Sequence, residues 1–168
     1  MHNRSGVIKV LSLLSVLVLV SIIFYSTLHS GYDSNKASEK VTLLIANVIS
    51  GILNLPPVAP HSELFNVIHA VVRKLAHFTE YFILSILIYF ACRKFDMSWK
   101  KAKLFSFLSA FVLACTDETV QLFVPGRDGR VTDVLIDSSG ALIAVAIIKL
   151  FEKMVIQKRK RVENSNYQ

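Results

Sequence analysis

The sequence is short of charge. Of its 168 residues 18% are Asp, Glu, Lys or Arg, against 53% hydrophobic. A chain so apolar is no ordinary soluble domain; the balance points to a membrane protein. Acids are scarcer than bases, 12 against 19, for a net charge of +7. No nucleic-acid recognition motif accompanies the excess. The basic residues sit in short clusters beside apolar runs, the pattern of membrane-flanking loops, so no nucleic-acid partner is expected. Cysteine is nearly absent. Cys92 and Cys115 each lie near an end of an apolar run, about 20 Å or more apart along the membrane normal, too far for a disulfide. Signature motifs are missing too: no HExxH, Asp-rich repeat, P-loop, GxGxxG or nucleophile elbow occurs, and no internal repeat. Ser138 and Ser139 beside Gly140 therefore read as packing residues.

What the chain has in plenty is apolar runs. Residues 10–26, with Val7, Ile8, Thr27 and Leu28 around them, reach the roughly 20 residues a span needs. That run exceeds the usual signal-peptide core and no A-x-A site follows, so an uncleaved helix is expected. Residues 29–40, "HSGYDSNKASEK", read as a loop. Residues 41–55 are apolar but short, with Asn47, Ser50 and Asn54 forming a polar stripe, so an interfacial helix is expected before "PPVAP" breaks the chain. Residues 61–94 begin amphipathic, with Asn66, His69, Arg73, His77 and Glu80 on one stripe, and continue as a span. "RKFDMSWKKAK" is a basic loop with Trp99 as an aromatic anchor. Two more spans follow, separated by a turn at Pro125 and Gly126, with Thr132 as N-cap of the last.

The expected fold is all-α, a polytopic membrane protein with four transmembrane helices plus an amphipathic outer segment. Residues 1–40 hold the first transmembrane helix and an outer loop. Residues 41–152 form a membrane domain, amphipathic over 41–74, with spans at about 75–92, 104–124 and 133–151. Residues 153–168 are a basic cytoplasmic tail, polar and frayed. The positive-inside rule places both termini and the 93–103 loop in the cytoplasm, because these regions carry Arg4, Lys9, the 93–103 cluster, Lys149, Lys153 and the run Lys158 to Arg161.

That topology gathers the remaining charge on the outer side. His77 and Glu80, then Asp117, Glu118 and Gln121, then Asp133 and Asp137 mark three outer helix ends. Charges within spans cost about 2.5–3.5 kcal/mol each on insertion scales, so this much acid asks for a purpose. Asp133 and Asp137 share a helix face that Gly140 and Ala144 extend, which implies close approach of another helix. One reading is structural: Arg127, Arg130 and Lys74 pair with the acids and lock the helix ends. A second is recognition of a phosphate-bearing headgroup by Arg127 and Arg130, with the acids as general acid or base. A third is a divalent cation held by the carboxylates with His77. A fourth is a proton or ion relay, which in so small a chain needs an oligomer. The inner halves of the spans carry few polar residues, Ser85 and Ser106 among them, which argues against a translocator.

The pieces "RKLAHFTEYFILSILIY" and "DETVQLFVPGRDGRVTDVLIDSSGALI" resemble the VanZ-like family of bacterial membrane proteins. The matching positions are Lys74, His77 and Tyr81, then Asp117, Glu118 and Gln121, then Pro125, Gly126 and Arg127, and last Asp133, Asp137 and Gly140. They fall within residues 70–148. Some relatives carry Asn where this chain has Asp137. The resemblance implies an integral protein of the bacterial cell envelope, and the family's namesake is associated with low-level resistance to the glycopeptide teicoplanin. The three outer helix ends with their complementary polar groups then make a lipid-linked or phosphate-bearing envelope component the expected ligand, with the bilayer as partner. On that expectation His77, Glu80, Asp117, Glu118, Asp133 and Asp137 supply the acid, base or cation-ligand functions. Lys74, Tyr81, Gln121, Arg127 and Arg130 bind or orient the ligand. An ion- or solute-translocating oligomer and a non-catalytic structural or partner-binding protein stand as alternatives.

Overall fold

The computed structural model describes residues 2–29 and 31–165. These residues form five helices and, among them, no strand: α1 (His2–Leu28), α2 (Gly31–Ile52), α3 (Glu63–Lys94), α4 (Trp99–Gln121) and α5 (Val131–Ser165). The first rule of the arrangement is punctuation. After the proline-rich break, Ser62 caps α3, its Oγ accepting from the Phe65 N–H at 3.2 Å. Pro125 and Gly126 make the turn before α5. Gly126 has φ 74°, and Arg127 N donates back to Val124 O at 3.1 Å, the geometry of a type II turn with glycine at its third position.

Helix α3 is the centre of the bundle and packs against all four others. Small residues allow the close approach. On α4, Ala102, Ser106, Ala110 and Ala114 are all fully buried, each four residues on from the last, and the next step of that stripe is Glu118. On α5, Asp137, Gly140, Ala141, Ala144 and Ile148 form the buried face. A Cβ at Gly140 would stand 2.3 Å from the Phe78 carbonyl oxygen. The shared face of Asp137, Gly140 and Ala144 read from the sequence is therefore the α3–α5 contact. Tyr81, Leu84, Ile88, Ala110, Ala114 and Ala141 form the core, with Ile23 of α1 joining it. Elsewhere α1 presents Leu11, Leu14, Leu17, Val18, Ile22 and Tyr25 outward. An apolar exterior over a small-residue interior is the pattern that lipid, not water, stabilises.

Five expectations need correction. Three helices, over Ser5–Leu28, Glu63–Lys94 and Val131–Lys158, are long and apolar enough to cross a membrane, not clearly four. Helix α4 falls short because Lys103 and Asp117 interrupt its apolar stretch at either end. The loop expected at 29–40 is helical from Gly31 onward, as the start of α2. The packed stripe of α2 is Thr42, Ala46 and Ser50, whereas Asn47 and Asn54 are exposed, so the polar stripe does not define the outward face. Thr132 is not the N-cap of α5. It lies inside the first turn, where Asp133 N and Val134 N already bond Arg130 O at 2.9 and 3.3 Å. The basic tail continues α5 as helix to Ser165. Ser30 of the expected loop and residues 166–168 of the tail lie outside the described residues, as do the side chains of Arg4 and of Arg159 to Arg161.

The bundle has two polar ends. At one, Lys9 meets Asp96 at 3.7 Å, Arg93 stacks over Trp99 at 4.6 Å, and Glu152 accepts from Tyr89 Oη at 2.6 Å and pairs with Lys103. The basic clusters at the start of α1, in the α3–α4 turn and on late α5 thus meet at one end. Along α1, Lys9 and Thr27 are about 27 Å apart at 1.5 Å per residue, close to the roughly 30 Å of a bilayer's hydrocarbon core.

Candidate functional site

The other end carries the acids. His77 of α3, Asp117 and Glu118 of α4, and Asp137 of α5 offer side-chain atoms that all lie within 4.8 Å of one another. The three carboxylates are buried and His77 is half-buried. Each is brought there by its helix face. His77 stands one turn before Tyr81 on the packed face of α3. Asp117 and Glu118 end the small-residue stripe of α4. Asp137 stands three residues before Gly140, whose missing side chain lets α5 close on α3.

Donors fix most of the carboxylates. Thr27 Oγ1 donates to Asp117 Oδ1 in a short contact. Gln121 Nε2 donates to Asp117 Oδ2 and to Glu118 Oε1, both at 3.3 Å, and the Arg130 N–H donates to Glu118 Oε2 at 2.8 Å. Asp137 is different. It is fully buried, neither of its oxygens has a hydrogen-bond partner, and His77 Nδ1 lies 3.7 Å from its Oδ1. His77 Nδ1, Tyr81 Oη and Ser85 Oγ, at successive turns of α3, are likewise buried without a partner. Among the described residues no Lys or Arg lies within ion-pair distance of Asp117, Glu118 or Asp137.

The arginines are used otherwise. Arg127 Nε donates to His29 O at 3.3 Å and its Nη2 to Ser26 O, so it ties the end of α1 to the α4–α5 turn. Burial, and then the like charge of Arg73, lower its pKa below the usual arginine value. The Arg130 guanidinium reaches exposed Asp128 at 3.4 Å. The structural reading, in which Arg127, Arg130 and Lys74 pair with the acids, finds no such ion pair with the three buried carboxylates among the described residues.

A cavity of about 290 Å³ opens beside the acids, with Arg73, Lys74, Arg127, Arg130, His77 and Asp133 among its lining residues. A second, about 280 Å³, shares Arg73, His77 and Arg127 with it and adds Thr27, Glu80 and Asp117. Through Val72, Ala76 and Glu80 this one adjoins an open apolar groove lined by Leu19, Ile45, Leu75 and Ile83 of α1, α2 and α3. Of the residues singled out from the sequence, His77, Asp117, Glu118, Asp137 and Gln121 come together. Lys74, Arg127, Arg130 and Asp133 line the first cavity and Glu80 the second, outside the four-group cluster, while Tyr81 is buried in the core. Sequence reasoning missed Thr27 and the part of Arg73, and took Ser85 only as a polar residue of an inner half-span. Arg73 carried a signal, its place on the stripe of α3. Thr27 carried none, because a threonine at the end of an apolar run is unremarkable until α4 is seen beside it.

The sequence profile of the VanZ/LLP1 family matches residues 12–152, most of the chain and all of the site. The chain belongs to the VanZ/LLP1 family. Among curated proteins and solved structures, none matches it.

Proposed function

We propose that this VanZ/LLP1-family chain is a multi-pass protein of the bacterial cell envelope that binds a lipid with a phosphate-bearing headgroup. The basic end of the bundle faces the cytoplasm, α4 crosses together with the three apolar helices, and the acid-bearing end faces outward. The observation that carries the reading is the adjacency of the cavities. A chamber with four cationic side chains adjoins a second cavity through shared residues, and that one adjoins an apolar groove open along the sides of α1, α2 and α3. A headgroup phosphate in the first chamber meets arginines whose planar forks suit its oxygens. Its hydrocarbon chain then lies along Leu19, Ile45, Leu75 and Ile83, where it displaces bilayer lipid at little cost. An anion between Arg73 and Arg127 also offsets the repulsion between these like charges. Teicoplanin tolerance, on this reading, is a consequence of how that lipid is handled and falls with lipid binding.

The test is native mass spectrometry of the detergent-purified chain with an isoprenyl phosphate and with the matching isoprenyl alcohol. The phosphate is retained and the alcohol is not, and the double change Arg127→Met, Arg130→Met releases the phosphate. Equal retention of phosphate and alcohol, or retention unaffected by the double change, refutes the headgroup reading.

A further inference from the structure

Three carboxylates from two helices converge on one imidazole, and no Lys or Arg among the described residues forms an ion pair with them. His77, Asp117, Glu118 and Asp137 offer atoms within 4.8 Å of one another. Ionised carboxylates this close repel strongly unless protons or a cation intervene. The donor pattern separates these two outcomes. Thr27, Gln121 and the Arg130 N–H all give hydrogens to Asp117 and Glu118. Those carboxylates are therefore oriented as acceptors, as metal-ligating carboxylates held by outer-shell donors are. Asp137, fully buried with both oxygens unpartnered, brings one of them into the same cluster, and His77 Nδ1 faces it without a partner of its own. Buried polar atoms of this kind are rarely left unsatisfied.

We infer that His77, Asp117, Glu118 and Asp137 form a binding site for one divalent cation, with Thr27, Gln121 and the Arg130 backbone as its orienting outer shell. At metal–ligand distances of about 2.1 Å, opposite ligands of an octahedron stand about 4.2 Å apart, so the observed spread closes onto an ion with a small inward movement. Three oxygen donors, one imidazole and no thiolate favour a first-row ion such as Mn²⁺ over the thiophilic metals. The ion joins α3, α4 and α5 at one point, and its neighbours His77 and Gln121 also line the cationic cavity. The inference rests on the cluster alone and does not require a lipid in that cavity.

The experiment uses the full chain in detergent, stripped with a chelator and titrated with Mn²⁺, the free ion being followed by electron paramagnetic resonance. One ion per chain binds saturably, and the thermal unfolding midpoint rises with it. Asp137→Asn and His77→Gln each abolish both effects, whereas Asp128→Asn, a change at an exposed acid in the same loop region, abolishes neither. Thr27→Val, which removes an outer-shell donor, weakens binding by roughly tenfold. The metal-free midpoints of Asp137→Asn and His77→Gln are measured alongside. A variant that keeps its midpoint and loses Mn²⁺ supports the site even if the other fails to fold. No saturable binding of Mn²⁺, Mg²⁺ or Zn²⁺ by the folded parent, or equal binding by a folded Asp137→Asn, overturns it and leaves a proton-sharing cluster. Since no lipid is present in the titration, its failure leaves the lipid reading standing, and the reverse also holds.

Discussion

Replacing Gly140 by alanine adds one methyl group where α5 crosses α3. The new Cβ lies 2.3 Å from the Phe78 carbonyl oxygen, 3.1 Å from its carbon and 3.2 Å from Phe82 N. All three are backbone atoms, so no side chain can swing aside. Reaching even the 3.0 Å limit of real Cβ contacts takes a shift of about 0.7 Å between two helices. Overpacking of this kind costs about 1–3 kcal/mol. At about 2–4 °C per kcal/mol for a chain of this size, the unfolding midpoint in detergent falls by roughly 2–12 °C. The matched control is Gly51→Ala, also within a helix, where an added Cβ meets nothing within 4 Å. There alanine only restricts the unfolded chain, a gain of about 0.4–1 kcal/mol, and the midpoint rises by roughly 1–4 °C. Because Asp137 stands one turn from Gly140, the Gly140→Ala protein also binds Mn²⁺ less tightly. A Gly140→Ala protein that melts at or above the parent, with Gly51→Ala behaving as described, refutes the α3–α5 contact on which the site is built.

Three further outcomes are expected. Lys103→Met lowers the midpoint by an amount equivalent to about 3–5 kcal/mol, because it strands the largely buried Glu152 carboxylate. Lys9→Met, at an ion pair whose Asp96 is almost fully exposed, changes it by about 0.5 kcal/mol or less; equal effects would show that the α3–α4–α5 junction at that end is misdrawn. Arg127→Lys cannot hold both the Ser26 and His29 carbonyls, so amide exchange over residues 24–29 quickens, whereas Arg130→Lys leaves that stretch unchanged. With Cys92 and Cys115 replaced by serine, a cysteine at position 128 reacts with an impermeant thiol reagent on intact cells and one at position 98 does not. The opposite labelling pattern places the acids in the cytoplasm and removes the case for an envelope ligand.

The all-helical class, three of the four expected spans and the gathering of acids at one end were legible in the sequence. Each depends on a local quantity: hydropathy over a window, turn residues such as Pro125 and Gly126, or the spacing of residues on one helix. The pairing of Asp137 with Gly140 and Ala144 on a contact face was legible for the same reason. The resemblance to the VanZ-like family was legible as well, because it is carried by short motifs that keep their order along the chain.

Other features were decided only when the helices packed. That α2 begins at Gly31 follows from its seat against α3, where Ser38 and the His69 ring nitrogen lie 2.7 Å apart, since the residues of 29–40 alone have little reason to leave the turn state. That Arg127 bonds the end of α1 rather than an acid depends on where α1 ends in space, about a hundred residues away along the chain. That four groups from three helices fall within 4.8 Å, and that one carboxylate among them faces inward with no partner, depends on helix crossings that small residues permit but do not specify. Periodicity says which residues share a face. Only the packing of one face on another sets which atoms meet, because the contacts and the polar bonds that select an arrangement act between segments distant in the chain.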